Sequence, residues 1–108
     1  MRFGKMFNSG DVILAKIQFV DSFEIKTRPV LFLFNDFGNL VVCGITSNKK
    51  MEGISLSKKE GAVKDSIIKL NYIFTIPDKF ISKKLFTLSN KKKKEVYDNL
   101  IEKLGGLK

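Results

Sequence analysis

Thr27-Arg28-Pro29-Val30-Leu31-Phe32-Leu33-Phe34-Asn35-Asp36-Phe37-Gly38-Asn39-Leu40-Val41-Val42-Cys43-Gly44-Ile45-Thr46-Ser47 is the stretch on which the fold turns. Residues 30–34 are continuously apolar and read as a strand buried on both faces. Asn35 to Asn39 carry turn chemistry, and a five-residue turn between two apolar runs predicts a hairpin with 40–45 as the returning strand. Pro29 biases Arg28 toward extended geometry. That sets Arg28 at the mouth of the first strand, while Thr46 and Ser47 follow the second. A hairpin lays those two ends side by side. Arg28, Thr46 and Ser47 are therefore expected on one rim, near Lys26, Lys49 and Lys50. A planar guanidinium can clamp a phosphate at two points, and hydroxyls and lysines beside it suit the same ligand. The plainer alternative is a strand-edge arginine facing water, with a threonine and serine that bond their own loop backbone.

Outward from the hairpin, Gly10-Asp11 punctuates a loose lead-in of residues 1–9 and opens a strand over 12–19. It ends in alternation, with Ile17 and Phe19 on one face and Lys16 and Gln18 on the other. Residues 21–27 read as a polar loop. After the hairpin, Ile54-Ser55-Leu56 is a short alternating strand, Ser57 to Lys64 a polar connection, and residues 66–69 and 72–76 two further strands. Phe80, Ile81 and Leu85 suggest a brief helical segment. Val96, Leu100 and Leu104, with Tyr97 and Ile101 alongside, predict an amphipathic helix capped by Ser89 or Asn90 and stopped at Gly105-Gly106. Many short strands followed by a closing helix point to a mainly β fold: a small barrel or strongly curled sheet with helical decoration.

Length and composition bound the function. A chain of 108 residues with 44% apolar residues and ten phenylalanines predicts one domain, 1–108, with a real core. The single cysteine, Cys43, allows no internal disulfide framework and reads as a buried apolar filler. With no histidine and one cysteine, the common zinc sites are excluded. No apolar run approaches the roughly eighteen residues that span a bilayer, and Met1 to Met6 lacks the apolar core of a secretion signal. The expectation is a cytoplasmic protein without membrane contact. A formal charge of +9 favours an anionic partner, although a general bias toward lysine gives the same excess. Lysines outnumber arginines eighteen to two, which makes Arg28 a rare side chain here. The run Lys91 to Lys94 opposes the helix macrodipole; it is either a solvated face or a contact for an anion. Glu24 and Asp65 are the acids nearest the rim, each a loop residue or a general base. No P-loop, dinucleotide fingerprint, HExxH or serine-elbow motif is present.

Taken together, Gly10-Asp11-Val12, Thr27-Arg28-Pro29-Val30-Leu31 running to Asn35-Asp36, Val41 to Ile45 with Thr46-Ser47, Asp65-Ser66-Ile67-Ile68 and Phe74-Thr75-Ile76 resemble the MazF/PemK growth-inhibitor toxins over residues 10–104. The resemblance implies a small SH3-like barrel of the MazF/PemK/CcdB type with a C-terminal helix, acting as a homodimer. It implies an endoribonuclease needing no metal or other cofactor, cutting single-stranded RNA at short sequences and neutralised by an antitoxin. In such enzymes the RNA 2′-hydroxyl attacks the adjacent phosphate, leaving a 2′,3′-cyclic phosphate and a 5′-hydroxyl. Arg28 aligns with the catalytic arginine and Thr46 with the catalytic threonine. Lys69 and Asn71 stand where relatives often have an arginine and an acid, and Phe74 where an arginine is common. Glu24 sits four residues before Arg28 where relatives place a glutamate five before. The expected site is thus Arg28, Thr46 and Glu24 for catalysis, with Ser47, Lys26, Lys49, Lys50, Lys69 and Asn71 binding substrate. Two other readings remain open: a non-catalytic nucleic-acid-binding module on the same barrel, and a protein-targeting toxin of the gyrase-inhibitor type.

Overall fold

Six antiparallel strands form one sheet in the order β4-β5-β3-β2-β1-β6. They are β1 (Asp11–Gln18), β2 (Ile25–Asp36), β3 (Asn39–Thr46), β4 (Ile54–Leu56), β5 (Ser66–Pro77) and β6 (Ile81–Thr87), followed by helix α1 (Asn90–Leu104). The computed structural model describes residues 7–18 and 24–108, so Phe19 and Arg2 lie outside the described residues. Among the described residues β6 pairs only with β1 and β4 only with β5. The sheet therefore curls into a half-barrel with two edges instead of closing.

Residues 30–32 and 40–45 of the central strands are buried because both faces are covered there, whereas of the expected buried run 30–34 Leu33 is half-buried and Phe34 exposed. Leu31 and Cys43 join Val12, Leu56, Ile68, Leu88 and Val96 of the helix on one side. Val30, Phe32 and Val42 join Ile13, Ala15, Leu40, Ile76 and Ile81 on the other. In β1 the expected alternation holds: Ile17 is buried while Lys16 and Gln18 are exposed.

Four expectations are corrected. Strand β2 begins at Ile25, so residues 25–27 are strand and Arg28 lies inside it, paired with Ala15 of β1. The neighbouring strand supplies the ladder that the polar composition of 24–28 does not advertise. The hairpin turn shrinks to Phe37-Gly38, both with positive φ (51° and 85°), the geometry of a two-residue turn whose twist matches its strands. Residues 66–69 and 72–76 belong to one strand, β5, broken by a bulge. Ile81 to Thr87 is strand, not helix, preceded by a single 3-10 turn at Asp78–Phe80. Two register shifts against β1 hide its alternation.

The lead-in is anchored where it is described. The Asn8 N–H donates to Asp11, the Ser9 hydroxyl to the Leu33 carbonyl, and the Phe7 ring meets Phe32 at 6.2 Å. Asp11, the one buried charged residue among those described, fastens β1 to β6.

Helix α1 starts at Ser89, whose hydroxyl accepts from the Lys92 N–H at 3.1 Å. Ser89→Ala is expected to cost about 1 kcal/mol in a urea unfolding titration. The lysine run is not a uniformly solvated face. Lys92 is largely buried and donates to the Ser55 carbonyl at 2.8 Å, with Glu60 at 3.2 Å and Glu95 at 3.3 Å. Those carboxylates offset the unfavourable charge at the helix start. The Lys93 stem lies against Gly10. Of the predicted apolar face, Val96 is buried and Leu100 half-buried, whereas Tyr97, Ile101 and Leu104 are exposed. Among the described residues no helix is long and apolar enough to cross a membrane.

Candidate functional site

β2 and β3 run in register through Leu31↔Cys43 and Val30↔Gly44, and there the ladder ends. Pro29 has no N–H to continue it. Below that point β2 stays with β1, through Pro29↔Leu14 and Arg28↔Ala15. β3 stays with β5, through Ile45↔Ile68 and Thr46↔Ile67. Continuing the lost register two residues sets Arg28 opposite Thr46. The two strands part between them, and a groove of about 860 Å³ opens at the fork. Arg28, Thr46 and Ser47 all line it, together with Lys64, Lys69, Lys83, Tyr72 and Phe74.

Charge in the groove is one-sided. Among the described residues Arg28, Lys64, Lys69 and Lys83 line it, and no carboxylate does. Four cations around one cleft raise the local concentration of anions. Thr46 Oγ1 accepts from the Asn48 N–H at 3.1 Å. This is the loop bond that the plainer reading foresaw, and it also orients the hydroxyl so that its hydrogen can be donated outward. The half-buried Thr46 is held by the β3–β5 ladder, and the exposed Arg28 by the β1–β2 ladder, so both donors ride on rigid strands.

Several expected site residues lie elsewhere. Glu24, Lys26, Lys49, Lys50 and Asn71 are exposed and do not line the groove. Glu24 stands 3.8 Å from Lys26. Lys49 lies 3.6 Å from Asp65. Asp65 accepts from the Lys58 N–H at 3.0 Å, and this bond, with Lys49 adding to it, holds its carboxyl below the usual range. Asp65 thus stabilises the 57–65 connection outside the groove. Cys43 is buried, its thiol donates to the Lys69 carbonyl, and burial pushes its pKa up to about 12, so it is a filler with no thiolate to offer. No group of three or more cysteine, aspartate or glutamate side chains able to hold a metal stands among the described residues.

Sequence reasoning passed over Lys64, Lys83 and Tyr72. Lys83 lay in the segment read as helical, and strand periodicity there is masked by the register shifts of β6. Tyr72 enters through the β5 bulge. Cys43 pairs with Ile73 but Gly44 with Lys69, so Leu70, Asn71 and Tyr72 have no register partner on β3. Bulges re-aim side chains. In the sequence, the break between the two expected strands at 70–71 was the visible sign of it.

The family described as PemK-like, MazF-like toxin of type II toxin-antitoxin system matches residues 8–104. The chain belongs to this family. Endoribonuclease MazF of Staphylococcus saprophyticus is 34% identical to it over 111 residues, covering 93% of this chain and 92% of that protein. The crystal structure of MazF from Deinococcus radiodurans superposes with a TM-score of 0.72 at 17% identity, over 94% of this chain and 99% of that one. A mycobacterial endoribonuclease in complex with its cognate antitoxin superposes with a TM-score of 0.65 at 11% identity, over 91% of each chain. The two structural likenesses establish the fold, a mainly β half-barrel with one C-terminal helix. The family match and the Staphylococcus relative establish the lineage.

Proposed function

We propose that this PemK/MazF-family chain is an endoribonuclease toxin that cleaves single-stranded RNA at the fork between β2 and β3. The observation that carries the reading is that Arg28 and Thr46 line one groove, where the charged residues among those described are four cations. The substrate is a phosphodiester flanked by a 2′-hydroxyl. That hydroxyl attacks the phosphorus, the 5′-oxygen leaves, and the products are a 2′,3′-cyclic phosphate and a 5′-hydroxyl. Negative charge grows on the non-bridging oxygens in the transition state. The Arg28 fork donates to them from a fixed strand, and the Thr46 hydroxyl donates beside it. Donors already in place where charge develops are often the largest single term in catalysis. Lys64, Lys69 and Lys83 bind the flanking phosphates. Ser47, next to Thr46, adds a hydroxyl at the same rim.

A general base contributes about 10²–10⁴-fold. Glu24 lies outside the groove lining and near Lys26, so Glu24→Gln is expected to cost far less than that. A loss within that range in single-turnover cleavage assigns Glu24 as the base. The reading extends to partners: a second copy of the chain, and an antitoxin, the latter supported by the relative solved with its own. Incubating the protein with a long RNA in excess EDTA and mapping the termini tests the activity. Cyclic phosphate and 5′-hydroxyl ends are expected, and intact RNA at micromolar protein overturns the reading. The one-sided positive charge of the described groove lining also favours a second reading, an RNA-binding module without turnover. It predicts salt-dependent affinity and no new termini.

A further inference from the structure

We propose that Tyr72, backed by Phe74 and flanked by Lys69, is a stacking platform for one base of the RNA, beside the phosphate held by Arg28 and Thr46. This inference rests on the RNA reading above and adds a base-binding subsite to it. Four observations carry it. Tyr72, Phe74 and Lys69 line the same groove as Arg28 and Thr46. The Tyr72 and Phe74 rings meet at a centroid distance of 5.0 Å and a tilt of 46°, so the second ring braces the first. The Lys69 ammonium stands over the Tyr72 ring, 5.4 Å from its centroid, so an incoming base displaces it toward the adjoining phosphate. The fourth is Gly44. A Cβ at that position would sit 2.6 Å from Tyr72 Cδ2, so the ring lies directly on the glycine backbone and only a missing side chain admits it.

The bulge makes the arrangement possible. Residues three apart on an unbroken strand point to opposite faces. Because Leu70 to Tyr72 are extra relative to β3, Lys69 and Tyr72 both reach the groove. Tyr72 keeps 37% of its surface exposed in the groove. Every nucleobase has a π face, and proteins that bind single strands stack bases on such rings. Gly44 also links platform and phosphate site, since it lies two residues before Thr46 on β3.

The chain has two tyrosines and no tryptophan, so its own fluorescence reports on the platform. In Tyr97→Phe protein Tyr72 is the sole strong emitter, and in Tyr72→Phe protein only Tyr97 remains. The probe is a random-sequence pool of 2′-fluoro RNA decamers, which lacks the attacking hydroxyl. Saturating probe is expected to quench the Tyr97→Phe protein and to leave the Tyr72→Phe protein unquenched beyond the absorbance of the RNA. Tyr72→Ala is expected to weaken probe binding about 10- to 100-fold, and Tyr72→Phe, which keeps the ring, to restore it. Gly44→Ala is expected to weaken binding as well, by displacing the ring.

Probe binding without quenching of Tyr72 overturns the platform, as does unchanged affinity in Tyr72→Ala. RNA cleavage in EDTA without quenching removes the platform and leaves the nuclease reading intact. Quenching without cleavage keeps the platform and removes the nuclease. Absence of any binding removes both.

Discussion

Arg28→Ala lowers RNA cleavage in excess EDTA by about 10²–10³-fold, the cost typical of losing one preorganised donor to a developing oxyanion. The expectation sits at the upper end of that range because Arg28 is the one arginine among the described residues. Lys64, Lys69 and Lys83 line the same groove and keep it positive after the substitution. Their ammonium groups are point charges and do not reproduce a planar fork that meets two phosphate oxygens at once. Arg28→Lys should therefore recover binding and remain at least about tenfold slow. The loss is expected in kcat more than in KM, since the lysines bind ground-state RNA while the fork acts on the phosphorane. Arg28 is exposed, so its removal should leave the urea midpoint nearly unmoved, within about 0.5 kcal/mol. Cleavage at the wild-type rate in Arg28→Ala would place the chemistry elsewhere.

Asp11→Ala is expected to be the most damaging single change to the fold outside the apolar core. Asp11 is 1% exposed and accepts from Thr87 Oγ1 at 2.6 Å and from the Asn8 N–H at 2.8 Å, with Lys84 at 3.7 Å. Its removal leaves the Thr87 hydroxyl and the Asn8 N–H without their acceptor and weakens the tie between β1 and β6. We expect a loss of about 2–4 kcal/mol, with the Lys84 share discounted because that ammonium is half-exposed.

The same carboxylate makes stability depend on pH. Burial raises the Asp11 pKa. The Thr87 and Asn8 hydrogen bonds and the Lys84 charge outweigh it, and the net value falls below the ordinary 3.8. A depressed native pKa means that the unfolded chain binds the proton more readily. The Asp11 contribution is therefore complete above about pH 4 and is lost as pH falls through the native pKa. Glu60 and Asp65 are depressed as well and share in the acid loss. Urea titrations at neutral and acid pH should show a shallower decline in Asp11→Asn than in the wild type. An identical decline would show that Asp11 is not protonated in that window.

The hairpin and its two ends were legible because their signals are local. A five-residue apolar run, a turn-forming pair and a proline after an arginine each restrict a few dihedral angles. β6 was not legible. Its residues, Ile81 to Thr87, become a strand because β1 offers a ladder, and two register shifts spoil the alternation by which a strand is recognised. The lysine run shows the same limit from the electrostatic side. Lys92 is structural because Glu60, thirty-two residues away in sequence, comes within 3.2 Å.

Arg28, Thr46 and Ser47 could be placed on one groove because they lie at the ends of one hairpin, and Lys69, taken from the family resemblance, lines the same groove. Glu24, Lys26, Lys49 and Lys50 were drawn in by closeness in sequence and Asn71 by the resemblance, neither of which sets the direction of a side chain, and all five lie outside the groove lining. By itself the sequence determined a mainly β chain with a closing helix, an apolar centre buried on both faces, and an arginine and a threonine at matching ends of one hairpin. These follow from periodicity, turn chemistry and the rigid proline ring. Only the tertiary structure decided that the ladder stops at Pro29 and opens a groove between Arg28 and Thr46. It also decided that a bulge turns Tyr72 onto Gly44, and that Lys64 and Lys83 arrive from separate elements. Those outcomes depend on which strand pairs with which and in what register, a choice made by the packing of the whole sheet.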